Sequence, residues 1–292
     1  MTKQYITPSG ATRRQAIASS ALGVSAAVLG GSLTASYAAT APSESIDLDD
    51  PEHRMTALMK IYGATDDRVC FGYVVGTFYG FVEQQMLPLF GILASTFNRY
   101  RLLPDGTYEG RALEIAYLTD LETGERLTSF DNPYTGETLN DIRTTRFGPR
   151  PILVGPSSAQ RLPVPGVDRV VSQRLLPFRI VNDTVWLVEE IQARFVPEGG
   201  SPLKTTSVTN YGAKVSDVLN PDLKTVRTEV SYADTTDWMP WMNMAGMPGM
   251  VIGNATGHTV PSMDELPPQH LALTREIYPD VLDDPKALLT FE

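Results

Sequence analysis

Between Thr184 and Phe195 the chain reads TVWLVEEIQARF, and the adjacent pair Glu189-Glu190 is its best candidate for chemistry. Read as a strand, Val185, Leu187, Glu189, Ile191, Ala193 and Phe195 share one face, while Trp186, Val188, Glu190, Gln192 and Arg194 share the other. Glu189 is then the one charge on an apolar face. A carboxyl held in apolar surroundings can act as acid or base near neutral pH. The bland alternative is a buried glutamate neutralised by Arg179 across the hairpin. If the faces are reversed, Glu190 lines the interior with Trp186 and Arg194, which suits a polar ligand with an aromatic part.

Arg143 and Arg146 are the candidates for holding developing negative charge, because a guanidinium clamps two oxygens at once. A solvated edge strand accounts for them equally well. Tyr134, Trp241 and His258 join Trp186 and Arg194 as candidate ligand contacts, and Glu114 raises the same question as Glu189 in its own strand. The chain holds 3 histidines, His53, His258 and His270, none paired at metal-ligand spacing, and no zinc or iron pattern exists. His53 and His270 are expected on the surface, and His258 at a cavity mouth. Met239, Met242, Met244, Met247 and Met250 form a cluster of thioethers, soft ligands that could hold Cu(I) through Met239, Met242 and Met244; pliable core filler is the alternative. No cofactor is expected otherwise. Cys70 is the lone cysteine, set among Val69, Phe71 and Tyr73, and is expected to be a buried, inert thiol. There is no nucleophile elbow, phosphate loop or dinucleotide fingerprint.

The elements that must position these residues read as strands and turns. Asp50-Pro51 opens a short helix carrying Met55, Leu58, Met59 and Tyr62 at helical spacing, and Gly63 stops it; this helix is expected to plug one end of the fold. Val69–Val82 is rich in aromatic and β-branched residues, with Gly72, Gly76 and Gly80 marking bends or close packing. Strands are expected over 111–119, over 125–130 and from Glu137, in an antiparallel meander punctuated by two Thr-Gly-Glu turns. Further hairpins are expected at Asn182-Asp183 and at 254–257, a strand over 226–233, and a second helix over 267–278. No βαβ rhythm occurs. The fold class is therefore mainly β, an antiparallel β-barrel or strongly curved sheet with a few short helices.

Thr12-Arg13-Arg14-Gln15-Ala16-Ile17, a weakly apolar stretch and Ser36-Tyr37-Ala38 form the layout of a twin-arginine export peptide over residues 1–38. Residues 39–292 then form a single β-rich domain working folded in the periplasm or outside the cell. After cleavage no membrane insertion is expected. A net charge of −10 disfavours nucleic acid as a partner.

Several segments carry a resemblance: Asp49-Asp50-Pro51, the run from Gly110 to Glu137 ending Asn132-Pro133-Tyr134-Thr135-Gly136-Glu137, Trp238-Met239-Pro240-Trp241-Met242-Asn243-Met244, and Gly257 to Pro285. Over residues 46–285 the chain resembles the bacterial "domain of unknown function 1838" family. The resemblance implies a fold and no agreed activity. Relatives follow the Thr-Gly-Glu turn with a histidine-bearing strand, whereas this chain has TLNDIRTTRFGP over 138–149. The residues together point to cofactor-independent acid–base chemistry, of lyase, isomerase or hydratase type, on a small apolar and aromatic molecule. The rival is a carrier that binds such a ligand without chemistry.

Overall fold

The computed structural model describes residues 47–140, 142–155, 158–161, 168–196 and 203–291; residues 1–38, read from the sequence as an export peptide, lie outside them. Helix α1 (Pro51–Tyr62) forms as its signals require. The Asp50 side chain accepts the backbone N–H groups of Glu52 and His53, each at 2.9 Å, and the N–H of Gly63 returns to the carbonyl of Met59.

Strands β1 (Val69–Val82), β2 (Gln85–Leu102) and β3 (Tyr108–Thr119) follow, then the short β4 (Ser129–Asp131) and β5 (Thr138–Asn140). After these come β6 (Thr145–Gly155), β7 (Ser158–Arg161), β8 (Asp168–Leu175), β9 (Arg179–Val181), β10 (Thr184–Val196) and β11 (Leu203–Lys214). Helix α2 (Val215–Leu219), β12 (Thr228–Thr236), β13 (Met250–Val260), α3 (Pro268–Ile277), α4 (Pro279–Asp283) and α5 (Pro285–Leu288) complete the chain. The order β7-β6-β3-β2-β1-β13-β12-β11-β10-β8 makes one antiparallel sheet, with β9 added on β10. It curls so strongly that its two end strands, β7 and β8, lie beside each other. The fold is mainly β, a strongly curled antiparallel sheet with short helices.

Curvature of this degree needs close approach of backbones, and glycine provides it. A Cβ at Gly76 would overlap the carbonyl of Asn254, and one at Gly257 would overlap the carbonyl of Tyr73. Gly257 therefore sits inside β13, and the hairpin expected at 254–257 does not exist: the glycine marks close packing where a turn was read. The meander is also shorter than expected. Glu125–Arg126 reaches β3 only through an isolated bridge from Arg126 to Thr119, and β4 and β5 pair apart from the main sheet.

Three apolar clusters hold the sheet. At one end Met55, Leu58, Met59 and Ile61 of α1 pack against Tyr100, Ala112, Ile152 and Leu187, so α1 is a plug. At the other end Phe78, Phe90 and Val251 meet Phe130, Leu139, Trp238, Met242 and Met244. On the outer surface α3, α4 and α5 cover Phe71, Phe97, Leu113, Ile115 and Tyr117 with Leu266, Val281, Leu282 and Leu289 among others. This cover corrects the expectation for His270. It is fully buried, its ring 5.2 Å from that of Tyr117 and its Nδ1 3.2 Å from the Thr274 hydroxyl. His53 is exposed. Cys70 is buried, and desolvation pushes its thiol up to about 11, so it is poorly ionised.

Candidate functional site

Between the two plugs the inner face of the sheet lines a partly open cavity of about 530 Å³, within the range of small-molecule sites. Its walls are chiefly apolar, with Ile92, Ala94, Ala112, Ile152, Val171 and Ile191 among them. Register explains why these residues meet there. Ala193, Ile191 and Glu189 of β10 stand opposite Thr205, Ser207 and Thr209 of β11, and Thr209 stands opposite Tyr232 of β12. The face carrying Val185, Leu187 and Glu189 is thus the inner one.

Glu189 is 2 % exposed and lines the cavity. Its Oε1 accepts hydrogen bonds from the Tyr62 hydroxyl at 2.9 Å and from the Gln173 amide, and its Oε2 accepts from the Tyr211 hydroxyl at 3.1 Å. All three donors are neutral. Each carboxylate oxygen can accept two hydrogen bonds, so with one donor among the described residues Oε2 keeps one acceptor position. Burial and the adjacent Glu189 charge push the Tyr211 hydroxyl well above its ordinary value, which keeps it a proton donor. The rings of Tyr62 and Tyr211 lie 5.7 Å apart and those of Tyr62 and Tyr100 6.2 Å apart, making an aromatic cluster beside the carboxylate.

Across the cavity Arg150 of β6 contacts Glu114 of β3 at 3.2 Å and stacks its guanidinium 4.4 Å from the Phe147 ring centroid. Asp234 of β12 lies deeper on the inner face, opposite Ser207 and above Gly253. Desolvation raises its carboxyl to about 6, against bonds from the Tyr232 hydroxyl and the Gly253 backbone that lower it.

The other residues singled out in the sequence stand elsewhere. Glu190 points to the outer face and pairs with Arg174, and Arg194 is exposed on that face. Arg179 is exposed opposite Trp186 and takes no part in holding Glu189. Arg143 is exposed in the segment before β6. Arg146 lies on the outer face, binds Asp280 of α4 at 2.7 Å and stacks 5.2 Å from the Tyr278 ring centroid, so it fastens the C-terminal helices. Tyr134 packs over Gly80 and against Trp238, with ring centroids 5.2 Å apart. Trp241 packs on Phe90 and Phe130 in the end plug. Met242 and Met244 are buried in the same plug, and Met239 packs against it.

Trp186 and His258 share an outer groove with Tyr73, Val75 and Glu229. Trp186 lies flat over Gly212, and His258 is 5.9 Å from the Tyr73 ring. The structure thus brings Glu189 and Glu114 to one cavity, sets His258 where the cavity and the outer groove meet, and sends Glu190, Arg143, Arg146, Trp186 and Arg194 away from the cavity. Arg150, Asp234, Tyr62, Tyr211 and Gln173 are the cavity-side residues that sequence reasoning missed. For Asp234 the signal was available: Thr228, Val230, Tyr232, Asp234 and Thr236 alternate along one strand face.

The model of a family described as "Protein of unknown function (DUF1838)" matches residues 193–290. The match is narrower than the expected 46–285: it takes in β11 to α5, with Tyr211, Asp234 and the methionine segment, and stops short of Glu189. No curated protein matches the chain. Among solved structures, that of Rv2717c from M. tuberculosis is similar at 12% identity and a TM-score of 0.27, covering 70% of this chain and 97% of that one. Among the described residues no helix is long and apolar enough to cross a membrane.

Proposed function

We propose that this protein binds a small, largely apolar, aromatic molecule inside the curled sheet, with Glu189 as the polar anchor. One observation carries the reading: a desolvated carboxylate with an open acceptor position faces a cavity of about 530 Å³ whose walls are chiefly apolar. A second reading, acid–base turnover of that molecule without an organic cofactor, is favoured by the same open position. Oε2 can take a proton from a bound C–H or O–H acid, and Tyr62, Tyr211 and Gln173 hold the carboxylate in place while it does so.

One experiment separates the two. Protein purified from its producing cells is subjected to native mass spectrometry to recover the ligand, which is then incubated with the protein in D₂O. Turnover predicts deuterium gain or a changed molecule with wild type and neither with Glu189→Gln. A carrier returns the ligand unchanged with both proteins. Protein that holds no ligand, and takes up none from an extract of its own cells, sinks both readings. The Arg13-Arg14 pair supports a further proposal, export of the folded chain by the twin-arginine machinery. Replacing both arginines by lysine is expected to leave the protein in the cytoplasm, and undiminished export would refute that route.

A further inference from the structure

The reading of the cavity as a ligand site leaves the ligand's polar group undefined, and the surroundings of Glu189 narrow it. A carboxylate removed from water is costly unless an opposite charge or a full set of donors compensates it. Here three neutral groups donate to Glu189, and among the described residues no cation stands beside it as a partner. The described cation on the cavity wall, Arg150, is engaged with Glu114. Tyr62, Tyr100 and Tyr211 cluster beside the carboxylate and all line the cavity. Aromatic rings next to a carboxylate are the surroundings in which an organic cation is held, the rings through their negative faces and the carboxylate through charge.

We propose that the ligand carries an ammonium group, which donates an N–H to the open position on Glu189 Oε2 and rests against the tyrosine cluster, its apolar body filling the cavity. A neutral hydroxyl in the same place would make the hydrogen bond without supplying the charge. A carboxylate there would face Glu189 across a few ångströms of low-dielectric space. This inference rests on the cavity being a ligand site, and its test distinguishes the two.

The probes are tryptamine, tryptophol and indole-3-acetate, nearly isosteric and bearing an ammonium, a hydroxyl and a carboxylate, titrated calorimetrically at pH 7. Wild type is expected to bind tryptamine at least tenfold more tightly than tryptophol, and tryptophol more tightly than indole-3-acetate. Glu189→Gln is expected to cut the tryptamine-over-tryptophol preference to about twofold or less. Should that variant fail to fold, Glu114→Gln serves instead: releasing Arg150 is expected to weaken tryptamine and strengthen indole-3-acetate. Tryptophol or indole-3-acetate binding wild type as tightly as tryptamine overturns the ammonium inference and leaves the cavity reading standing. So does a preference that survives in Glu189→Gln. No binding by any of the three overturns both.

Discussion

Asp234 and His270 give the fold opposing responses to acid, and removing one exposes the other. His270 is buried, and desolvation pulls its imidazole from 6.5 down to about 4. Between those values the unfolded chain binds a proton that the folded chain refuses. The histidine's share of stability is complete above pH 6.5 and is lost as pH falls towards 4. Asp234 runs the other way: its carboxyl rises from 3.8 to about 6, so in that window the folded chain binds the extra proton. Its contribution is most favourable below 3.8 and falls as pH rises through 6. At about 1.4 kcal/mol per pH unit, each group is worth about 3 kcal/mol over its window. Between about pH 4 and 6 the two nearly cancel.

The perturbation is Asp234→Asn, which keeps the shape and removes the titration. Urea denaturation at pH 7.5 and at pH 4 would be compared for the variant and wild type. The variant is expected to lose roughly 2–3 kcal/mol more than wild type between the two, because the histidine then acts without its opponent. At pH 7.5 it is expected to be the more stable protein. His270→Gln should give the opposite change, losing less stability in acid than wild type. Parallel losses in wild type and Asp234→Asn would refute the reasoning, since they would mean that Asp234 carries the same proton folded and unfolded.

Three further outcomes can be checked with the purified protein. Gly257→Ala would force a methyl into the Tyr73 backbone and is expected to cost about 3 kcal/mol; a urea midpoint equal to wild type's would remove close approach as the reason for this glycine. Cys70, with its thiol at about 11, should resist a thiol reagent at pH 8 in the native protein and react at once in denaturant. Fast native reaction would show that its surroundings open. Ala94→Phe places a ring in the cavity beside Ile92 and is expected to abolish binding of the proposed ligand, read by native mass spectrometry, while the melting temperature stays within a few degrees. Retained ligand would place the site elsewhere.

What was legible in the sequence followed from local rules. Asp50, Pro51 and Gly63 are chemical signals for where a helix starts and stops, and α1 obeys them within a residue. Alternation along β10 separated Glu189 from Glu190 because a strand has a period of two, although only the closed sheet shows which face is inner. Other placements depend on partners far away in the chain. Arg150 was missed because register slips between Ala112 and Glu114 of β3, so counting by twos from Arg146 gives the wrong parity. His270 has a polar side chain on a short helix, and its burial comes from the apolar outer surface of β1, β2 and β3, which needs covering. Trp186 looks like a pocket residue by type, yet it lies on the strand face opposite to Leu187, which points inward.

The cavity itself has a cause in the distribution of side-chain size along the strands. Towards the ends of the curled sheet the inner positions carry Tyr100, Tyr108 and Leu187, or Phe78, Phe90 and Val251, and these meet a plug. Midway the inner positions become small or slim: Gly72, Ala94, Ala112, Ala193, Thr205 and Ser207. A core in which every layer was filled would bury more apolar area and be more stable, since well-packed interiors tolerate few voids. Leaving one layer underfilled and placing a desolvated carboxylate there are both destabilising choices. Each is offset when a molecule occupies the space, because a ligand that binds only the folded state adds its binding free energy to stability. Two costs that meet at the same place, and that one ligand relieves together, are the physical argument for function at Glu189.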